Sequence, residues 1–182
     1  KQKDGAFYGP KIDIQIKDSQ DRDWQLATIQ LDFQIPQKME LEYIDKDGKP
    51  KRPVIVHRAV TGSFERFIGI LTEHYQGAFP LWLSPVQVAL LPITDKHQDY
   101  AEKIAIKFKS AGIRTTVFSK SETLQAKIRE ATLQKIPYLG IIGDNEIEKN
   151  TISVRNRDGK DLGGLSLSHF LQKVIAEIDK KV

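Results

Sequence analysis

Cysteine is absent from the 182-residue sequence, and methionine occurs only once. Without a thiol the chain forms no disulfide and supplies no thiolate metal ligand, which is compatible with the cytoplasm. No stretch approaches the 18 consecutive apolar residues of a membrane-spanning helix, so we expect no membrane partner. The charge balance is mild, with 28 Lys and Arg against 24 Asp and Glu, which permits nucleic-acid contact without demonstrating it.

The N-terminus, "KQKDGAFYGPKID", lacks both an initiating methionine and the apolar core of a signal peptide. We therefore expect the chain to be part of a longer protein. With 40% hydrophobic and 29% charged residues it has an ordinary globular composition, and its length suits one large domain or two small ones.

The first part of the chain has the alternation of β-strands. "KIDIQIKD" alternates strictly between isoleucine and polar residues. "DWQLATIQLDFQIP" alternates again, which predicts that Gln25 faces the side opposite to Thr28 and Gln30. "DKDGK" indicates a hairpin turn, because Asp-Gly readily adopts the positive φ that such turns need. We expect three antiparallel strands leading into a helix over 62–75.

A change of composition follows at "QGAFPLWLSP", where Gly77, Pro80 and Pro85 predict a domain junction near residue 80. The predicted domains are therefore 1–80 and 81–182. After the junction, "VQVALLPI" is a continuous apolar run typical of a strand covered on both faces.

Helical and strand patterns then alternate along the second predicted domain. Asp95 offers an N-cap for the helix "KHQDYAEKIAIKFKSAG", which ends at Gly112. The remaining patterns give the order β-α-β-α-β-β-α, which predicts a compact α/β domain with a partly parallel sheet.

Two residues of the first predicted domain stand out, although the patterns alone leave their roles open. Arg66 lies nearly opposite the apolar stripe of the 62–75 helix, so it is either a solvated charge or a ligand for an anion. His57 follows the apolar run "VIV" and is either a packed histidine or a metal ligand. Zinc needs three or four ligands, and no second suitable side chain lies nearby in the sequence.

Four blocks occur in order along the chain: "FYGPKIDI", "WQLATIQLDF", "VHRAVTGSFERFIGILTEH" and "FPLWLSPVQV". Together they closely resemble the C-terminal portion of the threonyl-tRNA synthetases, which are class II aminoacyl-tRNA synthetases. The resemblance implies an α+β fold: the end of the antiparallel class II catalytic sheet with motif 3, then an α/β anticodon-binding domain with a mixed sheet. It also implies ATP-dependent activation of threonine and its transfer to tRNA(Thr).

The resemblance assigns catalytic roles to Arg66 and Lys11. Arg66 is then the motif 3 arginine on the ATP γ-phosphate, and Lys11 neutralises the substrate carboxylate or the α-phosphate. A guanidinium suits phosphate oxygens because it is always charged and presents a planar fork of donors. Gln25 and Thr28 would also serve the nucleotide, which enters as ATP with Mg.

The same resemblance implies a threonine site. Tyr8, Gln30 and Ser63 would lie near the amino acid, and His57 would be one of three zinc ligands, the others being an upstream Cys and His. That zinc binds the amino and hydroxyl groups of threonine and so discriminates against valine. We expect the zinc site to be incomplete within this chain.

In the second predicted domain, the resemblance implies that Glu146 and Arg155 contact anticodon bases. Such groups suit the base edges of an unstacked RNA loop. Ser121 stands where the family often has asparagine, which weakens a base contact there. Three basic residues are either phosphate ligands or a solvated helix face: Lys127, Arg129 and Lys135.

The leading hypothesis is a threonine–tRNA ligase of which this chain carries motif 3 and the anticodon-binding domain. We expect the 182 residues to be inactive alone and the full-length enzyme to be a cytoplasmic homodimer. The alternatives are an isolated tRNA-binding module and a catalytically inactive synthetase paralogue. "GSFER" and "HRA" argue against the paralogue, because a protein that only binds tRNA does not need Arg66.

Overall fold

A computed structural model describes residues 6–181. The chain divides into two compact units between Tyr75 and Gln76, and the expected junction near residue 80 lies just after that division. None of the helices between residues 6 and 181 has the length and apolar character needed to cross a lipid bilayer.

The first unit is built on a three-stranded antiparallel sheet in the order β1-β2-β5. Its elements in chain order are β1 (Lys11–Lys17), β2 (Asp23–Asp32), α1 (Gln34–Lys38), β3 (Tyr43–Ile44), β4 (Pro50–Lys51), β5 (Ile55–Ala59) and α2 (Phe64–Tyr75). The predicted strands, hairpin turn and helix are therefore confirmed. The turn between β3 and β4 places Gly48 at φ +73°, as its Asp-Gly sequence predicts.

The strict alternation predicted for β2 is wrong, because a β-bulge interrupts the strand. Ile14 of β1 pairs with Ala27, whereas the next residue, Gln15, pairs with Gln25, so Leu26 is an extra residue. Such an insertion reverses the inward and outward directions beyond it. Gln25 consequently shares a face with Thr28, where the sequence pattern had placed it on the opposite side.

The bulge gives this sheet one polar and one apolar face. Ile12 and Ile29 are paired on the apolar face, and Ile12 is 64% exposed. Ile14, on the same face of β1, is also more than half exposed. The polar side chains of β1 and β2 project from the other face.

The second unit is a five-stranded mixed sheet in the order β10-β9-β8-β6-β7. Its elements are β6 (Val88–Pro92), a 3₁₀ turn (Asp95–His97), α3 (Gln98–Ser110), β7 (Thr115–Val117), α4 (Leu124–Leu133), β8 (Tyr138–Ile142), α5 (Asp144–Lys149), β9 (Thr151–Asn156), β10 (Asp161–Ser166) and α6 (Leu167–Lys180). β6 runs parallel to β7 and β8, whereas β9 is antiparallel to both of its neighbours. α3 and α6 pack on one face of the sheet and α4 on the other. The expected α/β architecture with a mixed sheet is confirmed.

Two local expectations in this unit are wrong. The cap before the 3₁₀ turn is Thr94 rather than Asp95: the Thr94 backbone N–H donates to His97 Nδ1 at 3.1 Å, and the His97 backbone N–H donates to the Thr94 carbonyl oxygen at 3.0 Å. The short helix α5 has no counterpart in the predicted element order. With six residues it is too short for a clear helical periodicity to develop in the sequence.

Candidate functional site: the polar face of the antiparallel sheet

A continuous chain of hydrogen bonds crosses the polar face of β1 and β2. The hydroxyl of Tyr8 donates to Gln30 Oε1 at 2.5 Å, and Gln30 Nε2 donates to Thr28 Oγ1 at 3.1 Å. Thr28 in turn donates to Asp13 Oδ1 at 2.7 Å. Each polar side chain is thereby held in one orientation by its neighbour.

At the far end of this series of hydrogen bonds, Asp13 also forms an ion pair with Lys11. Gln25 Nε2 donates to Asp13 Oδ1 at 2.7 Å, and Lys11 Nζ lies 2.6 Å from Asp13 Oδ2. The hydrogen bond from Lys11, followed by that from Thr28, lowers the pKa of the Asp13 carboxyl below its usual range. The group is therefore ionised at neutral pH, and it brings Lys11, Gln25 and Thr28 together.

The polar N-terminus of α2 lies beside the bulge of β2. Gly62 has φ +68°, and a Cβ there would lie 3.0 Å from the carbonyl oxygen of Leu26, so a side chain would force the two segments apart. Ser63 Oγ accepts a hydrogen bond from the backbone N–H of Arg66, with 3.2 Å between the oxygen and the nitrogen, and so caps the helix. Ser63 and Arg66 are thus fixed at the start of α2.

The guanidinium of Arg66 is exposed and keeps its charge available. It lies 5.4 Å from the centre of the Trp24 ring, and Nη1 makes a long contact of 3.4 Å to the carbonyl oxygen of Gln25. Among residues 6–181 no carboxylate forms an ion pair with Arg66. Arg22 also lies over Trp24, at 5.9 Å, but its charge is paired with Asp18. Of these two arginines, only Arg22 has a carboxylate partner among residues 6–181.

His57 lies in a cavity of about 430 Å³ on the same face. The cavity is lined by Phe7, Tyr8, Gln30, Asp32, Gln34, Ile35, Lys38 and His57. His57 Nε2 lies 3.0 Å from Asp32 Oδ2, and the two side chains are 43% and 2% exposed. Backbone N–H donation from Ile35 is the largest cause that lowers the pKa of the Asp32 carboxyl, although burial opposes it.

The donor set for a metal ion is incomplete in the part of the chain that the structure describes. No three His, Cys, Asp or Glu side chains within residues 6–181 come together in a metal-binding group. A zinc ion requires three or four protein ligands. The chain thus offers one exposed imidazole that is hydrogen-bonded to a buried carboxylate. Such a pair suits one metal ligand, and the other ligands are not found among the described residues.

The structure brings six of the predicted residues of the first unit into two neighbouring clusters on one face, whereas Ser63 and Arg66 lie at the start of α2. Tyr8, Gln30 and His57 line the cavity, whereas Lys11, Gln25 and Thr28 surround Asp13. The two clusters are joined directly by the hydrogen bonds of Gln30 described above.

Two carboxylates at the centre of these clusters, Asp13 and Asp32, were missed by the sequence analysis. The one available signal was the place of Asp13 among the polar residues of an alternating strand.

In the second unit the predicted base-contacting residues are held differently. Both oxygens of Glu146 accept hydrogen bonds, from the backbone N–H of Gly143 at 2.9 Å and from Ser153 Oγ at 2.8 Å. Arg155, on the same face of β9 as Ser153, has a buried Nε atom without a hydrogen-bond partner in the described range. The Glu146 carboxylate is thus held by two hydrogen bonds within the chain, whereas the unpaired Nε of Arg155 is buried.

Lys127 is neither a phosphate ligand nor part of a solvated helix face. It is 2% exposed, and its Nζ donates to the carbonyl oxygen of Pro92 at 2.9 Å. Lys135 donates to the carbonyl oxygen of Gln76. Both expectations for Lys127 are wrong, because tertiary packing of α4 turns this position inward.

Replacing Lys127 with methionine is expected to lower the free energy of unfolding by about 1–3 kcal/mol, since the Pro92 carbonyl would be buried without a donor. Urea unfolding measures this change. The matched variant Lys120→Met, at a side chain that is 69% exposed, should leave stability within about 0.5 kcal/mol of the parent. An unchanged free energy of unfolding in Lys127→Met would contradict the buried role.

Two family models match the chain. The model described as "tRNA synthetase class II core domain (G, H, P, S and T)" matches residues 1–75, and "Anticodon binding domain" matches residues 87–177. The chain is 56% identical over 179 residues to threonine–tRNA ligase of Syntrophomonas wolfei and 54% identical over 178 residues to that of Caldanaerobacter subterraneus. In both comparisons the match covers 98% of this chain but 28% of the relative.

A solved structure has the same fold. The crystal structure of the RNA-binding domain of threonyl-tRNA synthetase from Cryptosporidium parvum matches with a TM-score of 0.84 and 39% sequence identity. The match covers 96% of this chain and 44% of that one. The chain thus spans a little over a quarter of the curated relatives and under half of this structural neighbour.

Proposed function

We propose, because the chain belongs to the class II tRNA synthetases of the G, H, P, S and T group and carries their anticodon-binding domain, that it is part of a threonine–tRNA ligase. The observation that carries the proposal is that six of the predicted nucleotide and amino-acid residues share one polar sheet face, with Arg66 and Ser63 at the start of α2 beside its bulge. The sequence identity to threonine–tRNA ligases supports threonine as the amino acid.

In the proposed reaction, the threonine carboxylate attacks the α-phosphorus of ATP, and pyrophosphate leaves. Arg66 holds the γ-phosphate of the leaving group, which its unpaired and exposed guanidinium supports. Lys11 neutralises the attacking carboxylate or the α-phosphate. Its ammonium group has three N–H donors, so it can bind the substrate while it stays paired with Asp13. Gln25 and Thr28, both bonded to Asp13, position the nucleotide. Mg²⁺, bound with ATP, supplies further charge neutralisation on the phosphates.

Threonine selection is proposed for the cavity beside this cluster. Tyr8 and Gln30 are mutually hydrogen-bonded on its wall, and Ser63 is proposed to lie near the amino acid. His57 would be one zinc ligand, with the remaining ligands supplied from outside this chain. Zinc, when bound, recognises the amino and hydroxyl groups of threonine together, which valine cannot match.

The second unit is proposed to bind the anticodon of tRNA(Thr). Glu146 and Arg155 would contact bases, and the two hydrogen bonds that orient the Glu146 carboxylate support this role. We further propose that the full-length enzyme is a homodimer and acts in the cytoplasm, where tRNA is charged for translation.

Threonine-dependent exchange of pyrophosphate into ATP tests this function. We expect exchange by the full-length protein with threonine and none by the 182-residue chain, which supplies a single zinc ligand. Valine should support exchange at least 100-fold less well, since it lacks the second metal-binding group. No exchange by the full-length protein would favour the second candidate function, a tRNA-binding module, which the match of residues 87–177 to the anticodon-binding domain supports.

A further inference from the structure

Asp32 closes β2 next to the proposed zinc ligand, yet the proposed reaction gives it no role. We propose that Asp32 is a positioning residue, which fixes the ring orientation and tautomer of His57 so that Nδ1 presents its lone pair to the metal ion. This inference rests on the proposed function, because it assumes that His57 binds zinc.

The carboxylate of Asp32 is held at both oxygens. Oδ1 accepts the backbone N–H groups of Gln34 and Ile35, each at 2.9 Å, at the start of α1. This leaves Oδ2 for His57 alone, at 3.0 Å from Nε2. The side chain is 2% exposed, and if the carboxylate turned away, the N–H groups of Gln34 and Ile35 would both lose this acceptor.

The arrangement decides which ring nitrogen carries the proton. An ionised carboxylate only accepts hydrogen bonds, so Nε2 of His57 must donate. A neutral imidazole has one N–H, and therefore its lone pair lies on Nδ1. Histidines that bind metals usually donate their other ring N–H to a carboxylate or a carbonyl, which fixes ring and tautomer together. Asp32 and His57 form such a pair before any metal is bound.

Sheet register brings the pair together. His57 of β5 pairs with Gln30 of β2, and Asp32 lies two residues further along β2 on the same face. The ring of Tyr8 lies on another side of His57, with the ring centres 6.2 Å apart. The imidazole thus has a carboxylate and an aromatic ring as neighbours.

A helix cap is the simpler alternative role for Asp32, and it makes a different prediction. Capping α1 needs only Oδ1, whereas positioning His57 needs Oδ2. Asp32→Asn separates the two roles, because asparagine caps helices as well as aspartate does. The two backbone N–H groups hold the amide oxygen at the Oδ1 position, so the amide NH₂ faces His57 Nε2. That donor requires Nε2 to accept, which moves the proton to Nδ1 and blocks the metal-binding lone pair.

The first test is the tautomer of His57 in the metal-free 182-residue chain. Two-bond ¹⁵N–¹H correlation spectra of ¹⁵N-histidine-labelled protein, recorded where imidazoles are neutral, distinguish the two tautomers. We expect Nε2–H in the parent and Nδ1–H in Asp32→Asn. A purely structural Asp32 would leave the tautomer unchanged in the variant, which would overturn the proposal. An Nδ1–H tautomer in the parent would overturn it without any variant.

The second test is the zinc affinity of the full-length protein, measured by competition with a chelator. We expect Asp32→Asn to weaken zinc binding about 10- to 100-fold. Asp45→Asn, the same change at a carboxylate that faces Lys51 instead of a histidine, should leave the affinity unchanged. Parental affinity in Asp32→Asn, with binding lost in His57→Ala, would overturn the positioning role alone. Parental affinity in His57→Ala would overturn the proposed zinc ligand and with it the positioning role.

Discussion

Arg66→Ala in the full-length protein is expected to lower kcat for threonine-dependent pyrophosphate exchange by about 10²- to 10³-fold, the cost of removing one preorganised donor from a developing anion. Its guanidinium is exposed, it stacks on Trp24, and no carboxylate of the described residues neutralises it. The substitution therefore removes charge without unpairing a buried partner. Steady-state exchange kinetics, together with a circular dichroism spectrum to verify the fold, measure the effect.

Arg22→Ala is the matched control for this prediction. Arg22 contacts the same Trp24 ring, but its charge is already paired with Asp18 at 2.6 Å. We expect its removal to change kcat less than about 3-fold, because the buried Asp18 carboxylate keeps its hydrogen bonds from Trp24 Nε1 and from two backbone N–H groups. Equal losses in the two variants would mean that the packing of Trp24, rather than a phosphate contact, sustains activity. Full activity in Arg66→Ala would remove this residue from the proposed site.

Phe170→Ala is expected to destabilise the second unit by about 3–5 kcal/mol, the range for deleting a fully buried phenyl ring. Phe170 is 0% exposed, and its ring centre lies 5.7 Å from that of Phe108 and 5.5 Å from that of Tyr138. These contacts attach α6 and α3 to the central strand β8. The denaturant midpoint of the second unit, followed by far-UV circular dichroism, should fall accordingly.

Leu133→Ala provides the comparison within the same unit. Leu133 is 72% exposed on α4, so we expect a change within about 0.5 kcal/mol. If Phe170→Ala were equally mild, α6 would not be part of the core as described.

A hydrogen bond also links α6 to β8. Tyr138 of β8 donates to Glu177 of α6, and burial together with this hydrogen bond raises the pKa of Tyr138 to about 12.

Strand alternation and helical periodicity predicted most elements of the fold, because they depend on which residues avoid water. The bulge at Leu26 was not predictable in this way, since its cause is the pairing of two strands and not the pattern of either one. For the same reason the pattern placed Gln25 on the wrong face. Lys127 illustrates a second limit: a lysine in an amphipathic helix normally stays in solvent, and only the carbonyl of Pro92 makes its burial acceptable.

The candidate site was predicted through the resemblance and not through periodicity, which left Arg66 and His57 open. The resemblance identified the side chains that would contact substrates. It did not identify the carboxylates that position those side chains. Asp13 and Asp32 act on neighbouring side chains across strands, and their contacts exist only once β1, β2 and β5 are in register. A single sequence contains no such cross-strand information.

The central claim is that ATP and threonine bind the polar face of the β1-β2-β5 sheet. A crystal structure of the full-length protein with threonine and a non-hydrolysable ATP analogue tests it most directly. We predict the γ-phosphate within hydrogen-bond distance of Arg66, the nucleotide beside Gln25 and Thr28, and threonine in the cavity of His57. Binding on the opposite face, over Ile12 and Ile29, or an Arg66 guanidinium turned away from the phosphates, would contradict it.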